Sequence, residues 1–323
     1  EGEGEGEGEG EGEGEGEGAT WYVDIDNTSG AEDGTSWETA LTTIQAAVDA
    51  ADGAGGGEVW VGEGTYTGVG RVVSIEGTDT ENVVALASHV HLYGGFQGSE
   101  VERSQRDWEQ YPCIIDGEGI RRCAIAQGID ADAATLDGFT LQNGWTPVSG
   151  SQQARSGGGM YNSGSSLVVS NCTLVGNVAE RHGGGMYNTD SSPTVTNCVF
   201  ANNTAVYNGA GMHNANSAPA VEDSVFVDNT AESDGGGMCN YPSSLPAVSR
   251  CIFEGNSADD GGGMYNQECS STVRNCVFYS NRAQEGSTED HKGGGVVNHH
   301  STCVFTNCTL SGNSAQDKAD GML

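Results

Sequence analysis

The sequence predicts an all-β fold, a parallel β-helix of roughly ten coils with a helix capping its N-terminal end. Three observations carry this expectation. The phrase GGGMYN, or a near variant, begins at Gly157, Gly183, Gly209, Gly235, Gly261 and Gly293, spaced 26 residues apart four times and then 32. A fixed period of this size marks a solenoid. Within a unit the apolar residues come in short bursts (Met160, then Leu167 and Val169, then Cys172 and Leu174), without the i, i+3, i+4 recurrence of a helix. Asparagines recur at two fixed positions of the unit, as side-chain amides stacked from coil to coil would require.

Each regular unit reads as three short strands and three turns, because its bursts are separated by Gly, Ser and Asn. The longer last spacing places its extra residues in one loop, around Gln284 to Lys292, and leaves the unit intact. One amide column is Asn177, Asn203, Asn229, Asn256, Asn281 and Asn313; the other is Asn162, Asn188, Asn214, Asn240, Asn266 and Asn298. Cys172, Cys198, Cys251, Cys276 and Cys308 share a further position and predict a column of small buried thiols. Stacked side chains point in parallel, whereas a disulfide needs a dihedral near 90°. Bridges are therefore expected elsewhere, at Cys113 with Cys123 or at Cys303 with a neighbour.

The chain divides into four stretches. Residues 1–18 are nine Glu-Gly pairs, a low-complexity polyanion whose period of two would put every Glu on one face if extended, making it a linker or a docking arm. Residues 19–56 hold the strand WYVDI, a polar loop, and an amphipathic helix over 38–51 with Leu41, Ile44 and Val48 on one face. Such a helix hides the open end of a β-helix. Residues 57–156 are less regular coils, interrupted by the excursions SEVERSQRDWEQYP and WTPVSGSQQARS. Residues 157–323 are the regular coils, expected to leave an open edge at their C-terminal end.

Composition narrows the function. The 323 residues are 35% hydrophobic but only 7% aromatic, which suits a solenoid of small side chains. A net charge of −34, with Lys292 and Lys318 the only lysines, argues against nucleic acid and anionic lipid as partners. No apolar run approaches the length of a membrane span.

The opening YVDIDNTSGAEDGTSWETALTTIQAAVDAA with GGEVWVGEGTY, and then VHLYGGFQGSE, IIDGEG and TLDGFTLQNG, resembles secreted right-handed parallel β-helix proteins of the pectate-lyase-like superfamily. The repeats GGGMYN and NCTL are similar to those of polymorphic outer membrane proteins and related bacterial surface proteins. The resemblance covers residues 20–323 and implies right-handed coils and a secreted or cell-surface location. It does not choose an activity, because this superfamily hosts lyases, hydrolases and adhesins.

Polysaccharide lyases of this fold need clustered carboxylates for Ca²⁺ and a basic residue beside them. Asp234 over Asp260, with Asp259 alongside, could hold such a hard cation, as could Asp24, Asp26 and Asp33 in the early loop. Solvated acidic turns are the competing reading in so acidic a chain, and no basic residue repeats beside the Asp234–Asp260 pair. Tyr161, Tyr187 and Tyr265 share a column with His213 and Cys239; facing outward they would form an aromatic strip for sugar rings, facing inward they would fill the core. No residue is assigned a catalytic role. The expectation is a non-catalytic structural or adhesive β-solenoid, joined head to tail with copies of itself, with carbohydrate as a further partner. The alternative is a polysaccharide lyase or glycoside hydrolase.

Overall fold

The computed structural model describes residues 18–130, 133–284, 293–315 and 320–322. Residues 1–17 of the Glu-Gly tail and 285–292 of the long loop lie outside them, and with them the docking role expected of the tail.

A regular coil takes four steps, as in Met160–Ser163, Val168–Ser170, Thr173–Val175 and Val178–Ala179. Stacked from coil to coil, these steps build a nine-stranded methionine sheet, a ten-stranded valine sheet, a nine-stranded phenylalanine sheet and a six-stranded alanine sheet. Among the described strands every named pairing is parallel except that of Arg71–Ile75 with Thr78–Ala85. The fourth step is one more than the sequence reading expected. It is two residues long, and the amide column just before it explains it. The Asn177 backbone N–H donates to Asn203 Oδ1 at 3.0 Å, so each coil is clamped to the next where the short strand begins.

The corners follow from single left-handed residues. Asn171, Asn197, Asp223, Arg250, Asn275 and Asn307 all have φ between 49° and 55°. One such residue turns the chain sharply, and Asn and Asp bear the conformation most readily. The Cys column comes directly after this bend. Cys172 and Cys251 donate their thiols to the carbonyls of Ser170 and Ser249, two residues back, at 3.1 and 3.2 Å. Ser224 takes the cysteine's place in the middle coil and donates to Glu222 O at 2.8 Å. The thiols of this column are buried corner pieces, with Cys308 partly exposed. All ten cysteines are free, so the bridge expected between Cys113 and Cys123 does not form. Cys113 Sγ points to Val61 O at 3.1 Å and Cys123 Sγ to Gln142 O at 3.2 Å, at different corners.

Inside, the coils stack like on like. Met160, Met186, Met212, Met238 and Met264 line one wall, and Val169, Val195, Val221, Val248 and Val273 a second, all essentially inaccessible to solvent. Phe200, Phe226, Phe253 and Phe278 stack face to face with centroids 4.6 to 4.7 Å apart. Each buried phenylalanine adds about 1.5–3 kcal/mol.

The N-terminal cap differs in detail from its expected form. Thr20–Val23 pairs in parallel with the strand Gly57–Gly62, so it is the first rung of the valine sheet. The helix spans Ile44–Gly53, not 38–51, and Thr43 caps it by accepting from the Ala46 N–H at 3.3 Å. The preceding residues have other partners. Leu41 bonds Tyr22 through its N–H, and its carbonyl accepts from Asp24, which holds the segment extended. Ile44, Ala47, Val48 and Ala51 then seal the core at that end.

Candidate functional site

The GGG phrase shapes the outer face of the methionine sheet. Its first glycine is left-handed, with φ of 62° to 72° at Gly157, Gly183, Gly209, Gly235 and Gly261. Its last glycine lets successive coils approach; a Cβ on Gly237 would lie 2.5 Å from Gly263 O. The strand that follows alternates, with Met and Asn turned inward and the residue between them outward. The inward asparagines form the second amide column, each Nδ2 donating to the next Oδ1 at 2.8 to 2.9 Å from Asn162 to Asn298. The first column runs through Asn177, Asn203, Asn229, Asn256, Asn281 and Asn313 at 2.9 to 3.0 Å.

The outward column is Tyr161, Tyr187, His213, Cys239 and Tyr265, and it matches neither form expected of it. It faces away from the lumen, yet all its members are buried, because other segments lie over it. Arg71–Ile75 and Thr78–Ala85 form a hairpin whose turn residues Glu76 and Gly77 both have positive φ, as a two-residue hairpin turn requires. Ile75 from this hairpin and Ala154 from the second excursion cluster with Tyr161 and Tyr187.

Beyond that cover a groove of about 380 Å³ opens, walled by Tyr187, Tyr207, Tyr241, His182, His213 and Asp234. His182, Asn208 and Asp234 enter from the position just before the GGG phrase. The rings are stacked, His213 on Tyr187 at 5.4 Å and on His182 at 4.6 Å. Tyr207 is 41% exposed and stands at the rim, with the Arg181 guanidinium 4.8 Å from its ring centre.

Burial sets the charges here. It pushes His182 down to about 3, with Arg181 adding to the effect, and holds His213 well below the imidazole range, so both rings are neutral at pH 7. Burial, helped by the Asp259 charge, raises Asp234 to about 6 against the opposing hydrogen bond that its Oδ2 accepts from Tyr241 at 3.4 Å. The Nδ1 atoms of His182 and His213 are buried without a hydrogen-bond partner. The groove thus offers the exposed face of Tyr207 beside stacked neutral imidazoles, a surface suited to a hydroxyl-rich ligand.

The carboxylates expected to hold a cation lie at the groove and in the early loop. Asp234 and Asp260 meet in a backbone bridge between coils, beside the groove. Asp33 Oδ1 accepts from Thr35 N, Thr35 Oγ1 and Thr39 Oγ1, and Asp24 Oδ1 accepts from the Asp26 N–H, so this loop folds around its own carboxylates. Among the described residues no three His, Cys, Asp or Glu side chains are grouped to hold a metal ion. Sequence reasoning missed Tyr207 and Tyr241 as groove residues. Neither belongs to a column, so the period that revealed the other positions gave no signal for them.

The right handed beta helix region family matches residues 159–320, half of the chain, and the protein belongs to that family. No curated protein matches it. Among solved structures it is similar to the A-module of the mannuronan C-5 epimerase AlgE6 of Azotobacter vinelandii, with 14% identity, 85% of this chain and 94% of that one covered, and a TM-score of 0.29. It is also similar to PfbA, a surface adhesin of Streptococcus pneumoniae, with 12% identity, 84% and 88% covered, and a TM-score of 0.24. Scores this low carry no argument about activity. No helix among the described residues is long and apolar enough to cross a membrane.

Proposed function

We propose that this chain is a non-catalytic, surface-exposed or secreted adhesive β-solenoid that holds a carbohydrate in the groove on the outer face of its methionine sheet. The observation that carries the proposal is the exposed ring of Tyr207 beside the stacked Tyr187, His213 and His182. A sugar ring has an apolar face to lay on tyrosine and hydroxyls to pair with the polar side chains lining the groove, among them Gln152, Gln153 and Asp234. Asp234 is the only carboxylate among the described lining residues, which speaks against the paired carboxylates of glycoside hydrolysis. A glycan array probed with the purified chain tests the proposal. Binding to a defined polysaccharide that weakens roughly 10-fold in Tyr207→Ala, about 1.4 kcal/mol, is the expected result; binding indifferent to Tyr207 and Tyr241 would sink it.

One observation favours the enzymatic alternative. A carboxyl raised to about 6 and hydrogen-bonded to Tyr241 is suited to proton transfer near neutral pH. Incubating the polysaccharides bound on the array with the chain, and following new reducing ends or the ultraviolet absorbance of unsaturated products, separates the two readings. Turnover abolished by Asp234→Asn would replace adhesion with catalysis.

A further inference from the structure

Two thiols outside the cysteine column stand apart from the other eight. Cys269 occupies the corner position that Ser165, Ser191 and Ser217 hold in earlier coils, where each serine hydroxyl bonds a carbonyl two residues back. Its N–H still donates to Ser301 Oγ at 3.2 Å, as the Ser165 and Ser191 N–H groups donate to the next serine. Cys303 comes from the following coil. The backbone bonds Thr302 N to Cys269 O at 3.0 Å and Val304 N to Ser271 O at 2.9 Å flank it, laying it over the 269–271 segment. The two thiols are near enough to act on each other, Cys303 pushing the Cys269 thiol up and Cys269 pulling the Cys303 thiol down. Cys269 is 5% exposed, whereas Cys303 is only half-buried.

This pair differs from the column in register. Column thiols share one position and point in parallel, each toward its own backbone carbonyl. Cys269 and Cys303 hold positions two residues apart in the coil, so their side chains are not held parallel by a shared register, as those of the column are.

We propose that Cys269 and Cys303 are a redox modification site, closing to a disulfide that staples the Val296–Ala315 coil to the one before it. The oxidant is a small-molecule disulfide such as oxidised glutathione. The half-buried Cys303 thiolate attacks one of its sulfurs, expelling one glutathione thiolate and forming a mixed disulfide. The Cys269 thiolate then attacks Cys303 Sγ and expels the second. One S–S bond forms in the chain, one breaks in the oxidant, and two protons and two electrons pass to two glutathione thiols. The staple falls where the core is least closed, since Phe305, Cys308 and Leu310 are only partly buried.

The test treats the folded chain with oxidised glutathione, blocks remaining thiols with N-ethylmaleimide, and maps unreduced peptides by mass spectrometry. A Cys269–Cys303 peptide in high yield, with the column cysteines unlinked, is expected. Cys269→Ser should leave Cys303 as its glutathione mixed disulfide, and Cys303→Ser should leave Cys269 unmodified. Serine already stands at both positions in neighbouring coils, at Ser301 and Ser271, so both variants keep the corner's hydrogen-bonding groups, and circular dichroism checks their fold. Cys303 blocked by maleimide after oxidation of the folded chain, or cross-links spread equally over the column, would overturn the proposal.

Discussion

The guanidinium of Arg122 lies 5.2 Å from the centre of the Tyr161 ring, fully buried, and every hydrogen bond that fixes it goes to a neutral oxygen. It donates to the carbonyls of Gly157, Ala154 and Ser156 at 2.7, 3.0 and 2.8 Å, and to Asn82 Oδ1 and Thr80 Oγ1 at 3.0 and 3.2 Å. Those partners belong to the hairpin, to the second excursion and to the GGG phrase that follows it, so one side chain ties both covers onto the outer tyrosines. Burial pulls its pKa down to about 10, which still leaves it charged at neutral pH. Arg122→Ala would strip three buried carbonyls of their donor. The expected cost is roughly 2–4 kcal/mol, seen in urea denaturation, with faster hydrogen exchange over residues 71–85 while the coils from 183 onward keep their protection.

The amide column predicts a sharper loss at its middle. Asn229 Nδ2 donates to Phe200 O and to Asn256 Oδ1, while its Oδ1 accepts the backbone and side-chain N–H groups of Asn203. Asn229→Leu would leave those groups unpaired in a dry interior, at about 3 kcal/mol or more. Thr204→Ala, an exposed change one residue after the column, should stay within about 0.5 kcal/mol. Thermal unfolding of the two variants against the parent checks the contrast; equal shifts would mean that the column contributes no more than the surface.

Much of this was legible in the sequence because a solenoid writes its packing as a period. Asn177 and Asn203 are equivalent by spacing, and the structure pairs them. The left-handed corner was not read from the sequence, although Asn precedes four of the five column cysteines; its meaning needed the φ of Asn171 and Asn197. What the sequence hid lies where the period breaks. Tyr161 and Tyr187 are covered by Ile75 and Ala154, which come from irregular segments brought over them only by the fold. Burial of an outward residue cannot be read from its own strand, and so neither could the charge state of His182 or Asp234.

Glycines of the coils should differ in cost according to what a methyl group would meet. A Cβ on Gly237 would stand 2.5 Å from the Gly263 carbonyl of the next coil, an atom held by the sheet. Gly128, at φ 66°, has nothing within 4 Å of its would-be Cβ. Gly128→Ala should therefore cost only left-handed strain, about 1–2 kcal/mol. Gly237→Ala should exceed that clearly, by roughly 1–3 kcal/mol of overpacking. Comparable midpoints in denaturant would show that the coils can part to admit the methyl.

The groove makes stability respond to pH in two opposed directions. Asp234 is raised from 3.8 to about 6, so the folded chain holds a proton there that the unfolded chain has lost. That stabilisation is complete below about pH 4 and disappears as the pH rises through about 6. His182 and His213 are lowered from 6.5, so the unfolded chain takes up protons first, and their contribution is lost as the pH falls below about 6.5. Asp234→Asn keeps the shape but cannot ionise; its stability relative to the parent should rise by about 2 kcal/mol between pH 4 and pH 7. His213→Tyr copies the ring that Tyr161 and Tyr187 place in the same column, and should flatten the acid side instead. Urea midpoints of the parent and both variants across this range decide the matter. Parallel curves for the parent and Asp234→Asn would mean that this carboxylate is solvated and does not close the groove's wall.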